Sequence, residues 1–258
     1  MTSSTGSLPR FDAESGIATI TLRRPAHRNR LHNEDLAWLL ECFGRIDADR
    51  SIRVVVLTAE VLADRPVFSA GYNKGEFEGP EPEVNFETVV EALERLRPVT
   101  LCALNGSVYG GATDFTLACD LAIAVEGIEM RMPAAALGLH YYPSGLVRYV
   151  SRLGVNVAKQ AFLTGQALDA ATLLRVGYVQ ELVPAAGFEA RVRELAATIA
   201  KLAPLALETL KLSLTELGRG EVDLPRLAER QRATMASEDF AEGRRASGER
   251  RPPRWTGR

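Results

Sequence analysis

Three apolar runs constrain this chain most. Ile52–Leu57, Thr100–Leu104 and Leu121–Val125 are short, rich in β-branched and small residues, and lack the polar alternation of a half-exposed strand. A strand with water on one side alternates; one covered on both faces does not. The runs therefore read as inner strands with helices above and below. Ile17–Leu22 reads as a further strand. Asn33 is placed to cap a helix whose apolar positions Leu36, Leu39, Leu40, Phe43 and Ile46 recur at helical spacing. Phe86–Leu96 is amphipathic and is ended by Pro98. Strand and helix thus recur, the pattern of an α/β core with short crossovers.

After Tyr141 the pattern turns helical. Val155–Leu163, Ala170–Val176, Phe188–Leu202, Pro204–Leu217, Leu224–Met235 and Glu238–Arg245 carry apolar stripes. Pro204 can open a helix at its first turn, so a division is placed near Ala200. Residues 1–200 form the α/β core and residues 201–258 a helical region. That second part has little core of its own, so its stripes are expected to pack on the main domain or on a neighbouring subunit.

Composition closes several routes. A chain of 258 residues, 46% hydrophobic, can bury one large core. No run is long enough to span a bilayer and the segment Met1–Arg10 is polar, so a soluble cytoplasmic protein without a membrane partner is expected. A net charge of −2 argues against nucleic acid. Cys42, Cys102 and Cys119 sit in apolar patterns without metal-ligand spacing and read as reduced core residues. There is no phosphate-binding loop, dinucleotide fingerprint, nucleophile elbow or ligand cluster, so neither metal nor cofactor is expected.

The stretch NGSVYGGATD, Asn105–Asp114, lies between two of the inner strands. A helix starting near Gly110 exposes N–H groups without intrahelical acceptors, and glycine lets a ligand approach them. Such a turn holds an anion, as an oxyanion hole does, or it only packs tightly. The small-residue turn Ser69–Asn73 can supply a second donor in the same way. Asp114, in the first turn of that helix, is favoured by the helix dipole whether or not it does chemistry. His140, Tyr141 and Tyr142 follow a run of small and apolar residues, and either line a pocket or fill a core. Asp120 reads as structural.

Taken together, Ile20–Pro25, FSAGY at Phe68–Tyr72, Asn105–Asp114, Ala118–Ala124, Leu137–Leu139, Leu163–Gly165, Val176–Val179 and Ser237–Gly243 resemble the crotonase superfamily, the enoyl-CoA hydratase/isomerase family. The resemblance covers nearly the whole chain. It implies a spiral of ββα units followed by a helical trimerisation region, and a homotrimer or a hexamer of paired trimers. It also implies an acyl-CoA thioester, coenzyme A being part of the substrate, with its carbonyl oxygen between the N–H groups of Tyr72 and Gly111. Ala70 and Lys74 match the segment that meets the adenine. Arg28, with Arg250 and Arg251, is matched more loosely to the phosphates.

The departures from the pattern bear on the reaction. Family hydratases use two glutamates. The first maps to Asp114, one methylene shorter, and the second to Ala134, which carries no acid. A water-activating pair with one member missing is disfavoured, because rate falls steeply with misplacement of about 1 Å. Decarboxylation of a malonyl-type thioester needs the oxyanion hole but no base. The segments Gly106–Ala112 and Leu137–Tyr141 look like the methylmalonyl-CoA decarboxylase branch, with Tyr141 orienting the departing carboxylate and Gly110, Ala134, His140 and Tyr142 around the substrate. The alternatives are an enoyl-CoA isomerase or hydratase-like enzyme using Asp114, and an inactive oligomeric acyl-CoA-binding member of the family.

Overall fold

The computed structural model describes residues 7–79 and 82–258. Its strands are β1 (Arg10–Glu14), β2 (Ile17–Leu22), β3 (Val54–Ala59), β4 (Val67–Ser69), β5 (Val99–Leu104), β6 (Ser107–Tyr109), β7 (Leu121–Val125), β8 (Glu129–Arg131), β9 (Leu168–Asp169) and β10 (Glu181–Val183). The helices are α1 (Asn33–Ala48), α2 (Phe86–Arg95), α3 (Ala112–Ala118), α4 (Pro143–Lys159), α5 (Ala170–Arg175), α6 (Phe188–Ala200), α7 (Pro204–Gly218), α8 (Leu224–Met235) and α9 (Glu238–Glu249). One sheet runs β1-β2-β3-β5-β7-β10, and a smaller one runs β4-β6-β8-β9. Pairing is parallel except for β1 with β2 and β8 with β9.

The inner strands are apolar on both faces because both faces are covered. Along β3, Val55 and Leu57 join the cluster containing Leu36, Leu39, Phe43, Val89 and Leu93 from α1 and α2. Val54 and Val56 point the other way, into a cluster with Phe188, Val192, Ala196 and Ile199 from α6. The two-residue period of a strand thus serves two cores at once.

Three details depart from the sequence reading. His32, in extended backbone, caps α1 instead of Asn33, and its N–H donates to the Asp35 carboxylate at 2.9 Å. The helix expected at Val155–Leu163 is the second half of a longer element: α4 begins at Pro143, breaks at Gly154 (φ 78°) and continues into a π-helical turn, Gln160–Thr164. Strands β4, β6, β8, β9 and β10 are two or three residues long, too short for a two-residue period to be visible.

The division near Ala200 falls in the turn between α6 and α7, and α7 lies against β5. There buried Lys211 reaches the Asp120 carboxylate at 2.8 Å and the Pro98 carbonyl at 2.9 Å. Asp120 also accepts from the Thr100 N–H and hydroxyl, at 2.7 and 2.9 Å, and so ties α7 to β5. Helices α7 and α8 leave Leu210, Leu214, Leu224 and Met235 exposed. The tail folds back on α9: Asp239 accepts from the Thr256 and Gly257 N–H groups, and Glu242 from the Arg251 guanidinium and the Arg254 N–H. Trp255 Nε1 donates to the Lys201 carbonyl at 2.7 Å. Among the described residues, no helix is long and apolar enough to cross a membrane.

Candidate active site

The small sheet assembles the site. Strands β4, β6 and β8 are parallel neighbours, so the segments that follow them leave at the same end. Those segments are the turn Ala70–Tyr72, the turn Gly110–Gly111, and the stretch Met132–Tyr142. Residues nearly forty positions apart in sequence are thereby made adjacent.

The approach of the first two turns is close enough to demand glycine. A Cβ on Gly71 would stand 2.7 Å from the Tyr109 carbonyl oxygen and 2.8 Å from the Gly111 nitrogen, and φ there is +81°. Among the described residues, the N–H groups of Tyr72 and Gly111 make no backbone hydrogen bond. Two N–H groups on facing turns are thus left for a ligand oxygen. Helix α3 has only seven residues, so the individual N–H groups, more than a summed dipole, provide the attraction.

Aromatic rings wall the site. Phe86, in the first turn of α2, lies where a Gly111 Cβ would come within 2.7 Å of its Cζ. Its ring centroid is 5.9 Å from that of Tyr72, 5.2 Å from Phe115 and 6.1 Å from Tyr142. Tyr72 is itself held by a 2.5 Å hydrogen bond from its hydroxyl to Asn33 Oδ1.

Asp114 lies in the first turn of α3 and is fully buried. Its Oδ2 accepts from Arg148 Nη1 at 2.6 Å and from the Tyr142 hydroxyl at 2.5 Å. Its Oδ1 is buried with no hydrogen-bond partner among the described residues. Burial pushes the carboxyl above its ordinary range, against the opposing charge of Arg148 and the hydrogen bonds from Tyr142 and Arg148. Tyr141 donates from its hydroxyl to that of Tyr142 at 3.1 Å, and the two rings stack at 4.2 Å. Burial and the neighbouring Asp114 charge push both phenols well above their ordinary value, so they stay neutral donors.

The sequence candidates fall into three groups. Tyr72, Gly110, Gly111 and Asp114 come together, with Tyr141 and Tyr142 beside the acid, but the contact with Asp114 is made by Tyr142. The Tyr141 hydroxyl, expected to face a substrate carboxylate, is directed at Tyr142 because the rings stack. Ala134 is buried, and its carbonyl accepts from the Leu137 and Leu139 N–H groups. Ala70 donates its N–H to the Arg28 carbonyl at 2.8 Å, which joins those two loops, while the Arg28, Lys74 and His140 side chains stand exposed. Arg251 is turned to Glu242 and Glu249 instead of an open surface.

Sequence reasoning missed Arg148, Gly145 and Phe86. A Cβ at Gly145 would stand 2.4 Å from Tyr141 Cε1, 2.7 Å from Tyr142 Cε2 and 2.9 Å from Asp114 Oδ2. The bare face of α4 is what lets the tyrosines reach the acid. Tyr141, Gly145, Arg148 and Tyr149 recur at helical spacing, and an arginine within that buried stripe was the available signal.

Paired N–H groups on facing turns, with a buried carboxylate three residues beyond one of them, are an arrangement that can stabilise an oxyanion next to an acid–base group. The chain belongs to the enoyl-CoA hydratase/isomerase family, whose model matches residues 12–258. It is similar to a carnitinyl-CoA dehydratase of Proteus mirabilis (strain HI4320), 32% identical over 237 residues that cover 84% of this chain and 87% of that one. Among solved structures it resembles an enoyl-CoA hydratase from Bacillus anthracis, with TM-score 0.88 and 26% identity over 98% of this chain and 100% of that one. It also resembles DspI of Pseudomonas aeruginosa, with TM-score 0.86 and 28% identity over 98% and 100% of the two chains. The carnitinyl-CoA dehydratases it matches do not belong, by name, to the methylmalonyl-CoA decarboxylase branch expected from the sequence.

Proposed function

We propose that this protein forms and quenches the enolate of an acyl-CoA thioester, with Asp114 as its one acid–base group, and that its reaction is a proton transfer of the hydratase, dehydratase or isomerase type. The carrying observation is the asymmetry of the Asp114 carboxylate. Oδ2 is engaged by Arg148 and Tyr142, and Oδ1 is unpartnered. Oδ1 takes a proton from the carbon next to the thioester, and the electron pair of that C–H bond moves onto the carbonyl oxygen. The Tyr72 and Gly111 N–H groups stabilise the resulting charge. The same carboxyl then returns its proton, to a carbon two positions away in an isomerisation or to a departing hydroxyl, released as water, in a dehydration. One carboxyl suffices when both transfers occur on one face, which fits Ala134 in place of a second acid. The dehydratase and hydratase names of its relatives support this class.

Decarboxylation of a methylmalonyl-type thioester is the weaker reading. Its carboxylate would lie near the Asp114 charge, and the Tyr141 hydroxyl expected to hold it already donates to Tyr142. An inactive binding protein is disfavoured by the free donor pair. The exposed Leu210, Leu214, Leu224 and Met235 support assembly into trimers, single or paired.

The test is incubation with crotonyl-CoA, a 3-enoyl-CoA, a 3-hydroxyacyl-CoA and methylmalonyl-CoA separately, with products followed by mass. The expected result is turnover of at least one of the first three, lost about 10²-fold or more in Asp114→Asn. Consumption of methylmalonyl-CoA alone, at a rate that Asp114→Asn retains, would overturn the proposal in favour of decarboxylation.

A further inference from the structure

Arg148 does not serve Asp114 alone. Its Nη1 meets Asp114 Oδ2 at 2.6 Å, while its Nη2 meets Glu94 Oε2 at 3.0 Å. The same Glu94 oxygen accepts from Arg219 Nη2. Glu94 lies in the last turn of α2, and Arg219 follows the last residue of α7. A continuous ionic line therefore runs from the C-terminal helices, across α2 and α4, to the acid on α3.

The four groups carry two positive and two negative charges, so the line is neutral. The Asp114, Arg148 and Glu94 side chains are 0%, 0% and 7% exposed, and Arg219 is 17% exposed. Charges this deep are little screened, so each contact is felt by the next. Two guanidiniums share one oxygen of Glu94, and the hold of one on that oxygen weakens the hold of the other.

We propose that Arg219 and Glu94 are positioning residues for the proton transfer: the seating of the α7 end on α2 sets how much of the Arg148 charge falls on Asp114, and so how basic Asp114 is. This rests on Asp114 being the acid–base group. The C-terminal helices would then tune the chemistry without touching the substrate.

The sign differs between the two outer members. Glu94→Gln removes the anion that draws Arg148 away from Asp114, so Asp114 becomes a weaker base. Arg219→Gln leaves Glu94 to Arg148 alone, draws the guanidinium off Asp114, and makes Asp114 more basic. The other groups facing Asp114 are Glu87 from α2, Tyr141 and Tyr142 ahead of α4, Tyr149 and Arg152 from α4, and Tyr178 beyond α5, and both variants keep them. A network that only held helices together would lower stability in both variants without moving the titration in opposite directions.

The experiment measures pH–rate profiles of the full chain as Glu94→Gln, Arg219→Gln and Arg219→Lys. In parallel, carboxyl-detected NMR titrates Asp114 in protein labelled with ¹³C-aspartate and assigned with Asp114→Asn. The acidic limb is expected to move down in Glu94→Gln and up in Arg219→Gln, each by at least about half a pH unit. Arg219→Lys should return it toward the native position, with KM changed less than about twofold. Shifts in the same direction, or none, would overturn the proposal. Should Glu94→Gln not fold, the upward shift in Arg219→Gln and its reversal in Arg219→Lys decide the matter. If Asp114→Asn keeps its turnover, it is the acid–base reading that fails, and the NMR titration still reports whether the ionic line is coupled.

Discussion

Replacing Gly145 with alanine adds one methyl group at the most crowded point of the site. The new carbon would lie 2.4 Å from Tyr141 Cε1, 2.7 Å from Tyr142 Cε2 and 2.9 Å from Asp114 Oδ2. Carbon atoms rest at about 3.5–4.0 Å, so the nearest ring must yield by roughly 1 Å. Neither neighbour is a flexible chain end: Tyr141 is stacked on Tyr142 and lies 5.3 Å from Phe162. Overpacking of this kind costs about 1–3 kcal/mol of stability, or roughly 2–10 °C in Tm for a chain of this size. The rate loss is larger than stability alone implies. The displaced tyrosines carry the Tyr142 hydroxyl off Asp114 Oδ2, and misplacement of about 1 Å within a site costs about 10²-fold, equivalent to about 2.7 kcal/mol on the barrier. The assay pairs thermal unfolding with kcat and KM on the best thioester substrate. Gly44→Ala is the control, since its Cβ meets nothing within 4 Å on the exposed side of α1, and it should stabilise by about 0.5–1 kcal/mol. A Gly145→Ala enzyme with native turnover and native Tm would refute the claim that α4 needs a bare position to bring Tyr142 onto Asp114.

Two further outcomes test other parts of the structure. Gly71→Ala combines a φ of +81° with a Cβ 2.8 Å from the Gly111 nitrogen, so it should separate the donor turns and lower kcat by about 10²–10³-fold; a near-native kcat would remove the paired-donor geometry. The Glu242 carboxyl, held chiefly by Arg251 and then by the Arg254 N–H, is lowered from 4.5 to about 2. Its hold on the tail is therefore complete above about pH 4.5 and is lost as pH falls toward about 2. Quenching of Trp255 fluorescence in a Trp38→Phe background should rise over that range, and should already be raised at pH 7 in Glu242→Gln; no change in either would show that other contacts hold the tail.

The inner strands were legible because burial on both faces erases alternation, and Leu121–Val125 carries its bounds on its surface. Long helices were legible for the matching reason, since Leu36, Leu39, Phe43 and Ile46 repeat often enough to mark a face. The small sheet was not, because β4, β6 and β8 hold three residues each, and only pairing in space defines them. The two donor turns could be found by their glycines, whose conformational freedom leaves a mark in the sequence. The setting of Asp114 could not: Arg148, Glu94 and Arg219 lie 34, 54 and 125 residues from their partners, and no local pattern links them. That Tyr142 reaches Asp114 while Tyr141 donates to Tyr142 is equally invisible, because adjacent residues leaving a turn diverge by backbone angles that composition does not encode.

The neutral ionic line also has a consequence for how such a chain can change over generations. Of Asp114, Arg148, Glu94 and Arg219, Arg148 is the member whose loss alone leaves a buried charge, that of Asp114, without an ionic partner, a defect worth about 3–5 kcal/mol; after loss of any other member each remaining buried charge keeps one. Stability margins of about 5–15 kcal/mol leave little room for that intermediate. Position 148 is therefore expected to change only after position 114 or together with it. A lineage can explore a new reaction at position 114 while α4 keeps its arginine, and the outer members on α2 and α7 can drift one at a time, each step changing the charge that reaches the acid.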